Sequence, residues 1–202
     1  MNAQFELDGL ELISDRLILR PFRESDLDDF FEYASVEGVG EMAGWHHHEN
    51  IDETREILSM FIKSDKVFAI TLKDNGKVIG SLGVEKYGNE EKLSEFSNLQ
   101  GRELGFVLGR DYWGQGLMPE AVSKVIEYLF KVRNLDFLTC GYFLCNDQSR
   151  RVQEKCGFRP YRKISVVTRM GKKEETILNL LVNPEKDIKL EFSHPETLIW
   201  KN

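Results

Sequence analysis

The residues best suited to chemistry lie between Glu103 and Ala121. A strand-like run from Glu103 to Gly109 passes through Trp113-Gly114-Gln115-Gly116 and opens directly into a helix-like run at Leu117. Closely spaced glycines let a backbone approach a ligand and take conformations barred to other residues. The first-turn N–H groups of a helix have no intrahelical acceptors, and the helix dipole adds partial positive charge there. Together these features make an anion site suited to a pyrophosphate; a plain strand–turn–helix connection is the alternative reading. Two familiar phosphate motifs do not fit. No Gly-x-x-x-x-Gly-Lys-Ser/Thr occurs, and Pro119 stands where the third glycine of Gly-x-Gly-x-x-Gly belongs.

A possible proton carrier sits at the start of the same strand. By alternation Glu103 shares a face with Gly105 and Val107, opposite Leu104, Phe106 and Leu108. A carboxylate among small and apolar neighbours has a raised pKa if buried, which suits proton transfer, directly or through water. An exposed strand-end glutamate is the competing reading.

The elements that hold this segment follow from pattern. Residues 16–21 alternate and stop at Pro21, a first strand. Ser25 opens an acid-rich helix start at Asp26, Asp28 and Asp29. Asn50 and Glu53 read as a capping box for a second helix, with Ile51, Leu58, Phe61 and Ile62 as its apolar stripe. Residues 67–73 and 78–86 are strands joined at Asn75-Gly76, both residues expected at positive φ. Residues 87–101 form a long polar loop. Then come a strand over 103–109, a helix over 117–131 buried through Val122, Val125, Ile126 and Leu129, a strand over 137–144, a short helix over 147–155, and strands over 158–169 and 174–182. The order β-α-α-β-β-β-α-β-α-β-β mixes hairpins with crossovers, which predicts a mixed sheet with helices on its faces. One domain spans 1–182, followed by a C-terminal extension over 183–202.

Composition narrows the function classes. The chain has 202 residues, 41% hydrophobic and 30% charged, enough to bury a core without staples. Its 27 basic and 34 acidic residues give a net charge of −7, a poor match for nucleic acid, where binding relies on Lys and Arg displacing counterions. No apolar run approaches the roughly 18 residues that span a bilayer, so no membrane partner is expected. The N-terminal twelve residues carry three acids and no base, unlike a signal or transit peptide. Cys140, Cys145 and Cys156 are odd in number and lack zinc-type spacing, which fits a reducing, cytoplasmic setting. Adjacent histidines His46, His47 and His48 point in different directions on an extended chain, and nothing completes a metal site; no metal is expected.

The segment Trp113-Gly114-Gln115-Gly116-Leu117-Met118-Pro119-Glu120-Ala121 resembles the acetyl-CoA-binding loop of the GNAT N-acetyltransferases, in the branch of the ribosomal-protein alanine N-acetyltransferases. The loop's usual first Gln or Arg is Asp111 here. Asn146-Asp147-Gln148-Ser149 followed by Glu154-Lys155-Cys156-Gly157-Phe158 resembles the branch's second signature. Residues 16–21, and Gly44 to His48 with Glu53-Thr54, agree as well. The resemblance covers about residues 14–182.

It implies an α/β fold with a mostly antiparallel sheet of six to seven strands, splayed between the fourth and fifth, where acetyl-CoA lies as cosubstrate. Phe106, Val107 and Leu108 would offer backbone hydrogen bonds to the pantetheine arm, and Gln115, Gly116, Leu117 and Met118 N–H groups to the pyrophosphate, behind Trp113 and Gly114. Asn146 would fix pantetheine amides, with helix capping as the alternative. The branch's Glu-x-Gly pattern makes Glu103 the base. The tyrosine acid of many members is replaced by Gln153, and Ser149 holds the position of the branch's proposed serine donor, again with capping as the alternative. Trp45 and His48 would line the acceptor pocket. A glutamate that the ribosomal enzymes can carry after Gly-Phe falls nearest Thr168, which argues against a ribosomal acceptor. The implied activity is direct acetyl transfer to a primary amine of a peptide or small molecule, by a monomer or homodimer. The rival is a non-catalytic acyl-CoA-binding sensor with the same fold.

Overall fold

The computed structural model describes residues 2–88 and 96–188. Eight strands among them form one sheet: β1 (Leu12–Ile13), β2 (Leu17–Pro21), β3 (Val67–Leu72), β4 (Val78–Glu85), β5 (Gly101–Leu108), β6 (Phe137–Phe143), β7 (Arg159–Val167) and β8 (Lys173–Val182). Their order is β1-β2-β3-β4-β5-β6-β8-β7, antiparallel throughout except for the parallel pair β5–β6. Four α-helices accompany them: α1 (Leu27–Ala34), α2 (Ile51–Ser64), α3 (Leu117–Lys131) and α4 (Asp147–Lys155).

Each face of the sheet has its own core. On one face α3 buries Leu117, Met118, Ala121, Val122, Val125 and Leu129 against Leu19, Ile70, Leu82, Leu104 and Leu138. The 3.6-residue repeat of its apolar positions gives the helix that single stripe. On the other face α1 and α2 bury Phe30, Tyr33, Ala34 and Leu58 against Val67, Ala69 and Val78. A third cluster gathers Tyr87, Phe96, Phe137 and Tyr161.

Several local expectations change. The two-residue strand β1 is too short to show a periodicity, and it makes the sheet eight strands wide. Ser25 lies in a 3-10 turn, and α1 starts at Leu27, one residue later than expected, with the Asp26 carboxylate committed to the Arg20 guanidinium and the Arg23 N–H. Asn50 does cap α2 by accepting from the Glu53 N–H at 2.9 Å, but the Glu53 carboxylate accepts from the Glu49 N–H, one residue before the cap, so the capping box is not closed. Ile62 is exposed rather than part of the α2 stripe. In the β3–β4 hairpin only Gly76 has positive φ; Asn75 instead accepts from the Lys77 N–H through its side chain. The expected loop over 87–101 falls partly outside the described residues, and its described part contains two core aromatics, Tyr87 and Phe96, and the first residue of β5. Of the extension after residue 182, residues 189–202 lie outside the described part.

Candidate active site

Strands β5 and β6 are in register only over Gly101–Phe137, Arg102–Leu138 and Glu103–Thr139. Beyond these pairs the strands diverge, and a cleft of about 950 Å³ opens between them. Glu103, Phe106, Val107 and Leu108 of β5 line it, as do Gly141 and Phe143 of β6. Gly105 faces open space, so the β5 wall is bare at that point.

The 113–118 segment borders the same cleft. Gly114 and Gly116 have φ of +75° and +76°, the left-handed region. A Cβ at Gly114 would meet nothing and one at Gly116 only the tip of Arg16 at 3.7 Å, so backbone conformation, not crowding, selects glycine here. Gly116 is the N-cap of α3, and no side chain among the described residues caps that helix. Its first N–H groups therefore remain available to an anion, and the open space at Gly114 lets one approach. Trp113 fixes the turn by donating its indole N–H to the Leu108 carbonyl at 2.7 Å. Glu120 ties α3 to the start of β2. It pairs with the Arg16 guanidinium at 2.7 Å and accepts from the Ser14 hydroxyl at 2.7 Å, while Arg16 also donates to the Gln115 carbonyl at 3.0 Å. Trp113, Gly114, Gly116, Leu117 and Met118 all line the cleft; Gln115 does not, because its backbone carbonyl and side chain turn to Arg16 and Asp111.

Glu103 is the single carboxylate among the described residues of the lining. Burial pushes its pKa up to about 7, and the charge of Glu85, directly opposite on β4, adds to the rise. The Thr139 hydroxyl and the Gly88 N–H pull the other way. The cations of the lining are Arg151, Lys155 and Arg169. The sequence singles out none of the three as a site cation, although the i, i+4 spacing of Arg151 and Lys155 on α4 is an available signal.

Asn146 and Ser149 meet at the start of α4. The Asn146 side-chain oxygen accepts from the Ser149 N–H at 3.0 Å, so Asn146 is the helix cap and Ser149 is not. The Asn146 amide donates to the Met42 carbonyl at 3.0 Å, joining α4 to the 39–44 segment. Both residues line the cleft. The Ser149 oxygen accepts from the Gln153 amide at 3.1 Å.

Trp45 and His48 are not in the lining. The left-handed turn at Gly44 (φ +89°) redirects the chain, and Trp45 packs against Gly40. The His48 imidazole, 3% exposed, shares a 2.8 Å hydrogen bond with the Thr54 hydroxyl and stands edge-on to Phe30. Burial lowers its pKa. Val39, Met42, Ala43 and Gly44 line the cleft instead, beside Thr168 and Arg169, whose N–H donates to the Gly44 carbonyl at 2.9 Å. Glu41 braces this segment from within. Burial raises its pKa, but the His47 ring and the N–H groups of His47 and Gly38 outweigh that and hold the carboxyl at about 2.

No helix among the described residues is long and apolar enough to cross a membrane. A family profile, Acetyltransferase (GNAT) domain, matches residues 16–159. The chain is 26% identical over 153 residues to the uncharacterized N-acetyltransferase YoaA of Bacillus subtilis (strain 168), covering 73% of this chain and 82% of the relative. Its fold is similar to that of an acetyltransferase (GNAT family) from Bacillus anthracis, with a TM-score of 0.75, 21% identity, and 86% and 99% of the two chains covered. It is also similar to a ribosomal-protein-S5-alanine acetyltransferase from Vibrio fischeri, with a TM-score of 0.64, 20% identity, and 90% and 100% covered.

Proposed function

From the premise that the chain belongs to the GNAT acetyltransferase family and uses acetyl-CoA as cosubstrate, we propose that it transfers the acetyl group directly to a primary amine, with Glu103 as base and Ser149 as hydrogen-bond donor to the departing sulfur. One observation carries this reading. A half-buried carboxyl with a pKa near 7, a bare strand position at Gly105, and a serine with an unspent proton border the same cleft as the uncapped start of α3.

The chemistry divides among these residues as follows. The N–H groups at the start of α3 hold the pyrophosphate of acetyl-CoA, with Arg151 and Lys155 adding positive charge. The acceptor arrives as an ammonium and is reactive only as the free amine. Glu103 takes one ammonium proton, and a carboxyl titrating near 7 both accepts it at neutral pH and releases it to solvent afterwards. The nitrogen lone pair forms the C–N bond as the thioester carbonyl becomes an oxyanion. The C–S bond then breaks, the second nitrogen proton is lost, and the thiolate of CoA leaves and is protonated. Holding the two reactants together is worth on the order of 7–11 kcal/mol in favourable cases. No cysteine is needed: burial pushes the thiols of Cys140 and Cys156 up, away from the thiolate form.

The acceptor is a peptide N-terminus or a small amine. An acceptor panel of free-amine peptides, polyamines and aminoglycosides, assayed with acetyl-CoA for CoA release, tests the reading. Release with at least one amine supports it; acetyl-CoA binding with no amine acetylated would favour the sensor function.

A further inference from the structure

Gln153 is wholly buried and belongs to no core cluster. It lies one turn after Ser149 on α4, on the face that meets the sheet. Its amide nitrogen is 3.1 Å from the Gly141 carbonyl and 3.1 Å from the Ser149 hydroxyl oxygen, and its carbonyl oxygen accepts from the buried Asn179 amide at 2.9 Å. This arrangement has one consistent orientation. A backbone carbonyl has no proton to give, so the end of Gln153 that faces Gly141 must be the NH₂. Its second proton then goes to Ser149, whose oxygen is the acceptor in that contact. A hydroxyl that accepts still has its own proton to donate. Ser149 donates it to no group among the described residues, and Ser149 lines the cleft.

We propose that Gln153 is a positioning residue for acetyl transfer: anchored by Gly141 and Asn179, it engages the Ser149 oxygen as acceptor and so directs the hydroxyl proton into the cleft, toward the sulfur that leaves the thioester. The proposal rests on the reading of Ser149 given above. Ser149 only hydrogen-bonds to the thiolate; it transfers no proton, and the sulfur is finally protonated from solvent. A hydrogen bond that strengthens on the charged form favours that form, so the same contact lowers the pKa of the CoA thiol when CoA is bound.

The test uses CoA enriched in ¹³C at the carbon next to sulfur, bound to the full chain and titrated by NMR, which needs no acceptor amine. In the wild type the bound thiol titrates about one pH unit below free CoA. Ser149→Ala moves it back up, and Gln153→Met does the same. In the Ser149→Ala background Gln153→Met has no further effect, because nothing is left to orient; a merely structural role would add its own shift. Gln153→Glu keeps the size, but a carboxyl has at most one proton and cannot donate to both Gly141 and Ser149, so it too raises the thiol; it serves if the Met variant fails to fold. A wild-type titration in the Gln153 variants, with a raised one in Ser149→Ala, overturns the role of Gln153 alone. Equal shifts from Gln153→Met with and without Ser149 do the same. A wild-type titration in Ser149→Ala overturns the reading of Ser149 itself.

Discussion

Glu103 pairs with Thr139 at the fork of the sheet: theirs is the last registered pair of β5 and β6 before the two strands separate. The position explains both properties of the carboxyl. The paired side supplies the burial that raises its pKa and the Thr139 hydroxyl that moderates it, while the parted side opens it to the cleft. A glutamate two residues further along β5 would stand at the bare Gly105 position, out in the cleft and more hydrated.

Glu85 lies opposite Glu103 across β4 and β5, and its charge raises the pKa of Glu103. On the β6 side the nearby titratable group is the Cys140 thiol, which burial and Glu103 keep protonated. Glu85→Gln therefore lowers the midpoint of Glu103, and the acid limb of the rate profile shifts to lower pH. Carboxyl ¹³C NMR of glutamate-labelled protein measures the midpoint directly; an unmoved Glu103 resonance would show that the two carboxylates are not coupled.

The raised pKa also has a stability consequence. A group whose folded pKa lies above its unfolded value of about 4.3 contributes stability that is present below that value and is lost as pH rises through the folded pKa, here about 7. Gln mimics the protonated carboxyl at every pH. Glu103→Gln accordingly melts above the wild type at pH 8, with the gap closing toward pH 4. Thermal melts across that range check the sign, and a gap independent of pH contradicts it.

At the start of α3, Gly114→Asp and Gly116→Asp each place a carboxylate where an anion is to be bound and force a side chain into positive φ. Calorimetry with acetyl-CoA is expected to show strongly weakened binding for both. Wild-type affinity in both variants would remove the pyrophosphate from this end of the cleft.

Asn146 and Ser149 separate by their readouts. Asn146→Ala removes the α4 cap and the tie to Met42, which costs about 1 kcal/mol of stability. Ser149→Ala leaves the cap in place but unpairs one proton of the buried Gln153 amide, so it too lowers the melting temperature. It lowers turnover by about 10²–10³, the loss typical of one oriented donor to developing charge. Turnover measured beside melting on the same preparations distinguishes them, and near-normal turnover in Ser149→Ala would remove Ser149 as the donor to the sulfur.

Much of this site is legible in the sequence, and the rest is not for identifiable reasons. The glycines at 114 and 116 announce a turn because only their backbones tolerate it, and the alternation from Glu103 to Leu108 assigns each side chain to a face. The resemblance that implies Trp45 and His48 at the acceptor pocket carries no information on chain direction: the turn at Gly44 sends both toward the α1–α2 core and leaves the 39–44 segment at the cleft. Strand β1 is two residues long, below any period. Gln153 reads in the sequence as a missing tyrosine; that it orients Ser149 depends on Gly141 and Asn179, which are 12 and 26 residues away from it and are brought together only by the sheet.

The proposed chemistry turns on Glu103 removing the proton that keeps the acceptor amine unreactive. Its most direct measurement is the turnover of Glu103→Gln against wild type from pH 6 to pH 9, at saturating acetyl-CoA, with an acceptor from the amine panel. The expected result is unchanged acetyl-CoA affinity, a loss of roughly 10²–10⁴-fold at neutral pH, and partial recovery as pH rises and the amine deprotonates unaided, sooner for an α-amine of pKa about 7.7–8.0 than for a lysine-like amine near 10.4. Equal turnover of variant and wild type at pH 6, with either kind of amine, would contradict it and place the base elsewhere.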